Sequence, residues 1–137
     1  MYKKLSVLIP VYNEEKTIKK CVERVLVAKI LNMNLEVIIS DNNSTDNTKE
    51  ILKSIKDPRI KLLFKENNEG KGANIKNALN HATGDIVLFQ DADLEYSPEN
   101  FEDLLRPFFE NEAEVVFGTR LSRAKTTRIT GFPNYIA

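Results

Sequence analysis

Apolar and polar positions follow two rhythms along this chain: short apolar runs, and longer stretches in which apolar residues recur every three or four positions. The apolar runs are Leu5 to Ile9, broken by Ser6, Val37 to Ile39, Ile60 to Phe64, broken by Lys61, Ile86 to Phe89 and Val115 to Phe117. Runs of this length, apolar on both faces and bounded by turn formers, predict buried parallel strands. Between the first two, Ile18, Cys21, Val22, Val25 and Leu26 mark one face of an amphipathic helix. Asn13 is its expected cap, with Glu14 and Glu15 in its first turn. Ser44 or Thr45 is expected to cap a second helix with Ile51, Leu52 and Ile55 inward. A third helix carries Ile75, Ala78, Leu79 and Ala82, with Gly84 as its terminating glycine. Ser97 and Pro98 predict the start of a fourth, lined by Phe101, Leu104, Leu105, Phe108 and Phe109 and kinked or ended by Pro107.

Strands alternating with helices predict an α/β fold, a three-layer sandwich around a mostly parallel sheet. Such sheets bind ligands beyond the carboxyl ends of their strands. The stretches there are Pro10 to Glu14, Asp41 to Asp46, Asn67 to Gly72, Asp91 to Glu95 and Gly118 to Arg120, all rich in polar or charged groups.

Composition narrows the function classes. Lysine plus arginine and aspartate plus glutamate number 20 each, so charge gives no argument for a nucleic-acid partner. The single cysteine, Cys21, rules out a disulfide or cysteine-metal framework within the chain and reads as a small apolar residue on a helix face. No stretch approaches the ~18 apolar residues of a membrane span, and the N-terminal apolar run is too short for a signal peptide. A cytosolic face is expected. His81, near a helix end, is assigned no chemistry.

Asp91-Ala92-Asp93 is the most informative motif. Alternate residues of an extended segment project the same way, about 6–7 Å apart, so two carboxylates can bracket a hard cation. Magnesium is commonly held by one or two carboxylates plus phosphate oxygens and waters. Glu95 continues the parity and is a further candidate ligand; a solvated acidic turn before the next helix is the plainer reading. Asp41, at the end of the second strand, can accept from a base or ribose, or can anchor an Asx turn. Tyr12 can stack on a base or pack on its loop, and Glu14 can bond a base or favour the helix start. Asn68 to Gly72, with Lys71 between two glycines, offers an anion site or a flexible turn, without the spacing of a P-loop. Arg120, Arg123, Lys125 and Arg128 can grip phosphates or form a solvated rim.

In order and spacing, these segments resemble glycosyltransferase family 2, a group with the GT-A fold. They are Ser6 to Glu15, Glu36 to Asp46, Asn68 to Gly72, Gly84 to Asp93 and Gly118 to Arg120, spread over nearly the whole chain. Asp91 to Glu99, followed by Val115 to Arg120, is similar to the subgroup of dolichyl- and polyprenyl-phosphate sugar synthases. By that resemblance Pro10, Tyr12, Glu14, Ile39 and Asp41 surround the donor nucleoside. Asp91, Asp93 and the position of Glu95 match the metal and diphosphate site, and Arg120 an arginine near the donor phosphates; Lys71, from its loop, and Ala92, between the aspartates, are further donor-binding candidates. The implied cofactor is Mg²⁺ or Mn²⁺. The implied donor is a nucleoside-diphosphate sugar of the GDP-mannose or UDP-glucose type. The implied reaction is inverting transfer, with Asp91, Asp93 and Arg120 serving catalysis. A polyprenyl or dolichyl phosphate is the implied acceptor, with a saccharide acceptor as the alternative. Asn42 and Asn43 depart from the aspartate and glycine of many relatives, and Glu95 from their glutamine.

Residues 10 to 15 contain no glycine, against a dinucleotide-dependent oxidoreductase. A sugar nucleotidyltransferase lacks its glycine-rich basic loop here. A non-catalytic nucleotide-binding or receiver-like module keeps the sheet without a metal-linked diphosphate and stands as the rival from another class. From Arg120 the chain is basic and irregular, and Pro133 to Ala137 reads as an element cut short. Residues 1–137 are therefore expected to be the nucleotide-sugar-binding portion of a longer catalytic domain, incomplete at its C-terminal side. Peripheral membrane association through regions outside it is expected.

Overall fold

The computed structural model describes residues 1–118. Four strands make one parallel sheet: β1 (Lys4–Val11), β2 (Asn34–Asp41), β3 (Ile60–Phe64) and β4 (Ile86–Phe89). Helices α1 (Ile18–Leu26), α2 (Thr48–Ser54), α3 (Lys71–Leu79) and α4 (Phe101–Glu110) connect or follow them, the last entered through a 3₁₀ turn at Pro98–Asn100. The strand order is β3-β2-β1-β4. The chain thus builds outward from β1 to β3, then crosses back to lay β4 on the other side of β1. Sequence order reverses between β1 and β4, which opens a crevice at their carboxyl ends.

Strand parity assigns the two faces. Leu5, Val7, Ile9, Val11, Val37 and Ile39 pack with Ile18, Val22 and Val25 of α1, Leu52 of α2, and Phe101 and Leu105 of α4. The opposite face is thinner: Leu8 and Ile38 pack on Ala78 of α3, with Leu63, Ala82 and Val87 beside them. Helices on both faces of a parallel sheet give the three-layer α/β sandwich expected from the sequence. The thinner face also holds buried polar groups, Ser6, Glu36 and Ser40. Ser6 Oγ donates to Glu36 Oε2 at 2.5 Å and Lys4 Nζ to Oε1 at 3.1 Å. The Thr83 N–H and hydroxyl also donate to this carboxylate, at 2.9 and 2.8 Å.

Several local expectations are corrected. Asn13 does not cap α1, which starts at Ile18; its side chain is drawn instead to the next loop, accepting from the Thr45 N–H at 2.8 Å. Ser44 and Thr45 do not cap α2: Asn47 stands at its N-cap without a side-chain bond, Asp46 just before it accepts from the Thr48 N–H at 2.9 Å, and Ser44 Oγ donates to Asp41. Gly84 does not terminate α3, whose last residue is Leu79. It passes so close to β1 that a Cβ would lie 2.6 Å from Ser6 N. The inner face of α3 is Asn74 and Ala78, leaving Leu79 exposed. Pro107 neither ends nor shortens α4, which continues to Glu110. The fifth strand is absent among the described residues. Only Phe117 makes a bridge, and Val115 and Phe117 are exposed among the described residues. β4 is accordingly an edge among the described residues, and Phe89 is exposed rather than buried.

Candidate functional site

An open cleft of about 240 Å³ lies where the strand order reverses. β1 supplies Pro10 and Val11 to its wall, and the following loop Tyr12 and Glu14. Asn42 follows β2, Asn68 follows β3, and Gly70, Lys71 and Asn74 come from the start of α3. Asp91, Ala92 and Asp93 follow β4.

Each part is held by identifiable bonds. The loop after β1 is locked to the loop after β2. The Asn13 N–H donates to Ser44 Oγ at 2.9 Å, and the Glu14 N–H to Thr48 Oγ1 at 2.9 Å. Glu15 Oε2 accepts from the Asn47 N–H at 2.9 Å. Asn13 takes a left-handed φ of 52°, which asparagine tolerates. Glu14 Oε2 accepts from the Thr17 hydroxyl at 2.8 Å, so its carboxylate faces the cleft with one oxygen already engaged. Asn42 joins the second wall: its Nδ2 donates to Asn68 Oδ1 at 3.0 Å and its Oδ1 accepts from the Glu69 N–H at 3.2 Å. Asn74, buried on α3, exchanges bonds with Ser40 on β2.

The acidic loop is braced from beneath. Buried Gln90 donates through Nε2 to the carbonyls of Asp91 at 2.9 Å and Tyr96 at 3.2 Å. Cys21 Sγ lies 3.6 Å from the same Asp91 carbonyl. Burial pushes the Cys21 thiol up to about 12, against the pull of Arg24, so it stays neutral and unreactive. Arg24 reaches across from α1 to Glu99 at 2.6 Å and to Ser97 Oγ at 3.1 Å, tying the helix to the far end of the loop.

The geometry brings together Pro10, Tyr12, Glu14, Lys71, Asp91, Ala92 and Asp93 around one space. It does not bring Ile39 or Asp41 to it. Both side chains point by parity into the larger core face, and the Asp41 carboxylate is engaged by the N–H and hydroxyl of Ser44. Glu95 does not join the aspartates, and no group of three or more metal-binding side chains converges among the described residues. The expected extended parity is not kept past Phe89: Ala92 and Asp93 lie in a turn, Leu94 takes a left-handed φ of 67° that redirects the chain, and the Glu95 N–H donates to Asp93 Oδ1 at 3.0 Å. Arg120, Arg123, Lys125 and Arg128 lie outside the described residues. Read from the sequence alone, Asn42 and Asn74 have no role in the cleft, and Asn68 has one only as part of the Asn68 to Gly72 anion-site stretch. Their signal was present as amides clustered at strand ends and one asparagine inside a helix, where it is a poor helix former.

Three carboxylates, Glu14, Asp91 and Asp93, face this space against one ammonium, Lys71, whose Nζ donates to Asp91 Oδ1 at 2.8 Å. That balance attracts a cation and repels a bare diphosphate. A cation drawn to this space would meet hard carboxylate oxygens, with no imidazole and only a neutral thiol lining or bordering it among the described residues, a donor set that suits Mg²⁺ or Mn²⁺ better than a softer ion.

The sequence signature of Glycosyl transferase family 2 matches residues 6–133. A relative from Proteus mirabilis, undecaprenyl-phosphate 4-deoxy-4-formamido-L-arabinose transferase, is 36% identical over 121 residues, covering 85% of this chain and 36% of its own length. The chain therefore spans little more than a third of that relative. Among solved structures, S. aureus TarS 1-349 in complex with UDP-GlcNAc superposes with a TM-score of 0.70 at 31% identity, over 80% of this chain and 32% of that one. Glucosyl-3-phosphoglycerate synthase from Mycobacterium tuberculosis, with Mn²⁺, UDP and glucosyl-3-phosphoglycerate, gives 0.66 at 26% identity, over 80% of this chain and 41% of that one.

Proposed function

The chain belongs to glycosyl transferase family 2, and from that premise we propose that it is the donor-binding part of a metal-dependent, inverting glycosyltransferase. The donor is a nucleoside-diphosphate sugar of the UDP-glucose or GDP-mannose type, and the acceptor a polyprenyl phosphate at the cytoplasmic face of a membrane. One observation carries the reading: Asp91 and Asp93 share a cleft with Lys71, Tyr12 and Asn42 at the point where the strand order reverses. Support comes from the solved relatives that hold UDP-GlcNAc, or UDP with Mn²⁺, and from the undecaprenyl-phosphate acceptor in the name of the Proteus relative.

In this reading Asp91 and Asp93 hold Mg²⁺ or Mn²⁺, which when bound offsets the charge of the leaving diphosphate. Tyr12 and Pro10 flank the base, Asn42 holds the wall beside it through its bonds to Asn68 and Glu69, and Lys71 and Arg120 meet the phosphates. Positive groups aimed at the bridging oxygen stabilise the charge that develops as the glycosidic bond breaks. A lipid phosphate is already an anionic nucleophile and requires no general base from this chain. Ile39 and Asp41 act from behind the wall, Asp41 fixing the Ser44 turn that locks the loop bearing Tyr12. Among the described residues no helix is long and apolar enough to cross a membrane.

Asp91→Asn and Asp93→Asn are expected to weaken UDP or GDP binding about tenfold or more in Mn²⁺, with little change when the metal is chelated. Calorimetric titration with and without EDTA measures this. Equal affinity of both variants and the parent in Mn²⁺ would falsify the metal site. Transfer of labelled sugar by the natural full-length protein to undecaprenyl phosphate, but not to an oligosaccharide, separates the two acceptor classes.

A further inference from the structure

Resting on the reading of the cleft as a metal and diphosphate site, we propose that Lys71 is a built-in stand-in for the metal. Its ammonium pairs with Asp91 and transfers to the donor phosphates when they arrive, so that cation and diphosphate bind in mutual support.

The inference begins with the ion pair across the cleft, Lys71 Nζ to Asp91 Oδ1 at 2.8 Å. Lys71 is the sole cation among the described residues that line the space, and its side chain is 65% exposed. Its backbone is firmly placed. Gly70 before it adopts φ 89° and ψ 165°, a conformation that glycine takes without strain. A Cβ at Gly70 would meet nothing within 4 Å, so chain direction, not space, calls for glycine there. Lys71 then opens α3, anchored to the sheet by the Asn74–Ser40 bonds. The helix start is anchored, and the long, largely exposed side chain reaches from it across the mouth of the cleft to Asp91.

A divalent cation arriving alone must displace this ammonium from Asp91 and then sit beside it, two like charges in one small space. A diphosphate arriving alone meets the remaining carboxylates, Glu14 and Asp93. When both arrive, the ammonium exchanges one anionic partner for another, and Asp91 is released to the cation. The coupling must be reciprocal: the factor by which diphosphate strengthens cation binding equals the converse factor. Exposed ion pairs contribute modestly, so competition by Lys71 amounts to about a 2- to 5-fold effect on cation affinity.

The test is titration of Mn²⁺ into the purified full chain, followed by electron paramagnetic resonance, without nucleotide and with saturating UDP, allowing for Mn²⁺–UDP in solution. Lys71→Met is expected to tighten Mn²⁺ binding to the nucleotide-free protein about 2- to 5-fold and to shrink the factor by which UDP strengthens it. Lys71→Arg is expected to keep the parent's behaviour. Lys76→Met, in the last turn of the same helix and away from the cleft, makes the same change in net charge and is expected to leave both quantities unaltered. Unchanged or weaker nucleotide-free Mn²⁺ binding in Lys71→Met, or an equal shift in Lys76→Met, overturns the proposal. A parent protein that takes up no Mn²⁺ even with UDP removes the metal-site reading itself, and this inference with it.

Discussion

Glu36 is an ionised side chain set into the interior of the sheet, and its surroundings explain why it stays charged. Burial raises its pKa, but hydrogen bonds from Ser6, from the Thr83 N–H and hydroxyl and from Lys4 outweigh that and bring it from 4.5 down to about 2. A group with a depressed folded pKa stabilises the fold above its unfolded value and loses that contribution as pH falls toward the folded one. Glu36 should therefore contribute up to about 3 kcal/mol at neutral pH, disappearing between pH 4.5 and about 2. Glu36→Gln is expected to lower stability at pH 7 and to flatten that acid limb, as urea unfolding at several pH values would show; a parallel acid limb in the variant contradicts the assignment. Little of this was legible in the sequence, because Glu36 lies at the start of a strand and its partners are 30 and 47 residues away. Asp41 carries the same lesson. Its place at a strand end was readable, but whether it faced the cleft or the core depended on the parity of β2 and on Ser44. Asp91 and Asp93 were readable because their spacing is local and both follow a strand.

At the scale of elements, the strands β1 to β4 were legible because apolar runs bounded by turn residues leave little choice of structure. The helix starts were not. Asn13, Ser44 and Thr45 have the side chains of caps, but across the β1–α1 and β2–α2 loops they find one another instead. A propensity for local bonding gave way to a bond between loops, and α1 and α2 start late. A similar cross-connection holds the acidic loop between β4 and α4. Gln90, fully within the fold, bonds both ends of that loop at Asp91 and Tyr96. Gln90→Met keeps the volume and removes both donors, at a cost of about 1–3 kcal/mol. If the brace serves the aspartates, this variant loses affinity for UDP with Mn²⁺ while binding of metal-free UMP is retained. Equal loss for both ligands would mean that Gln90 supports the fold generally and not this loop.

Across the whole molecule, the two ends of the sheet have different tasks. The amino end is closed: Lys4, Ser6, Glu36 and Thr83 satisfy one another, the Asp85 carboxylate accepts from the Lys3 and Lys4 N–H groups at 2.7 and 2.9 Å, and Gly84 lies against β1. The carboxyl end is open and carries the cleft, with Tyr12, Lys71 and Asp93 exposed. Substitution at a buried, bonded position falls on folding, whereas exposed side chains away from such networks usually change stability by no more than about 0.5 kcal/mol. Ligand affinity in turn is insensitive to a loss of stability while nearly all molecules remain folded. Gly84→Ala forces a Cβ to within 2.6 Å of β1 backbone, an overpacking that costs about 1–3 kcal/mol. It and Glu36→Gln should lower the thermal midpoint yet leave the affinity for UDP with Mn²⁺ unchanged at temperatures well below it. Asp93→Asn and Lys71→Met should do the reverse, changing affinity at a nearly constant midpoint. Thermal melts and binding titrations on these four variants would place them on two separate axes if the ends are independent. A common line, with affinity falling in proportion to midpoint, would show that the cleft is held in shape by the amino-end network through the length of the strands.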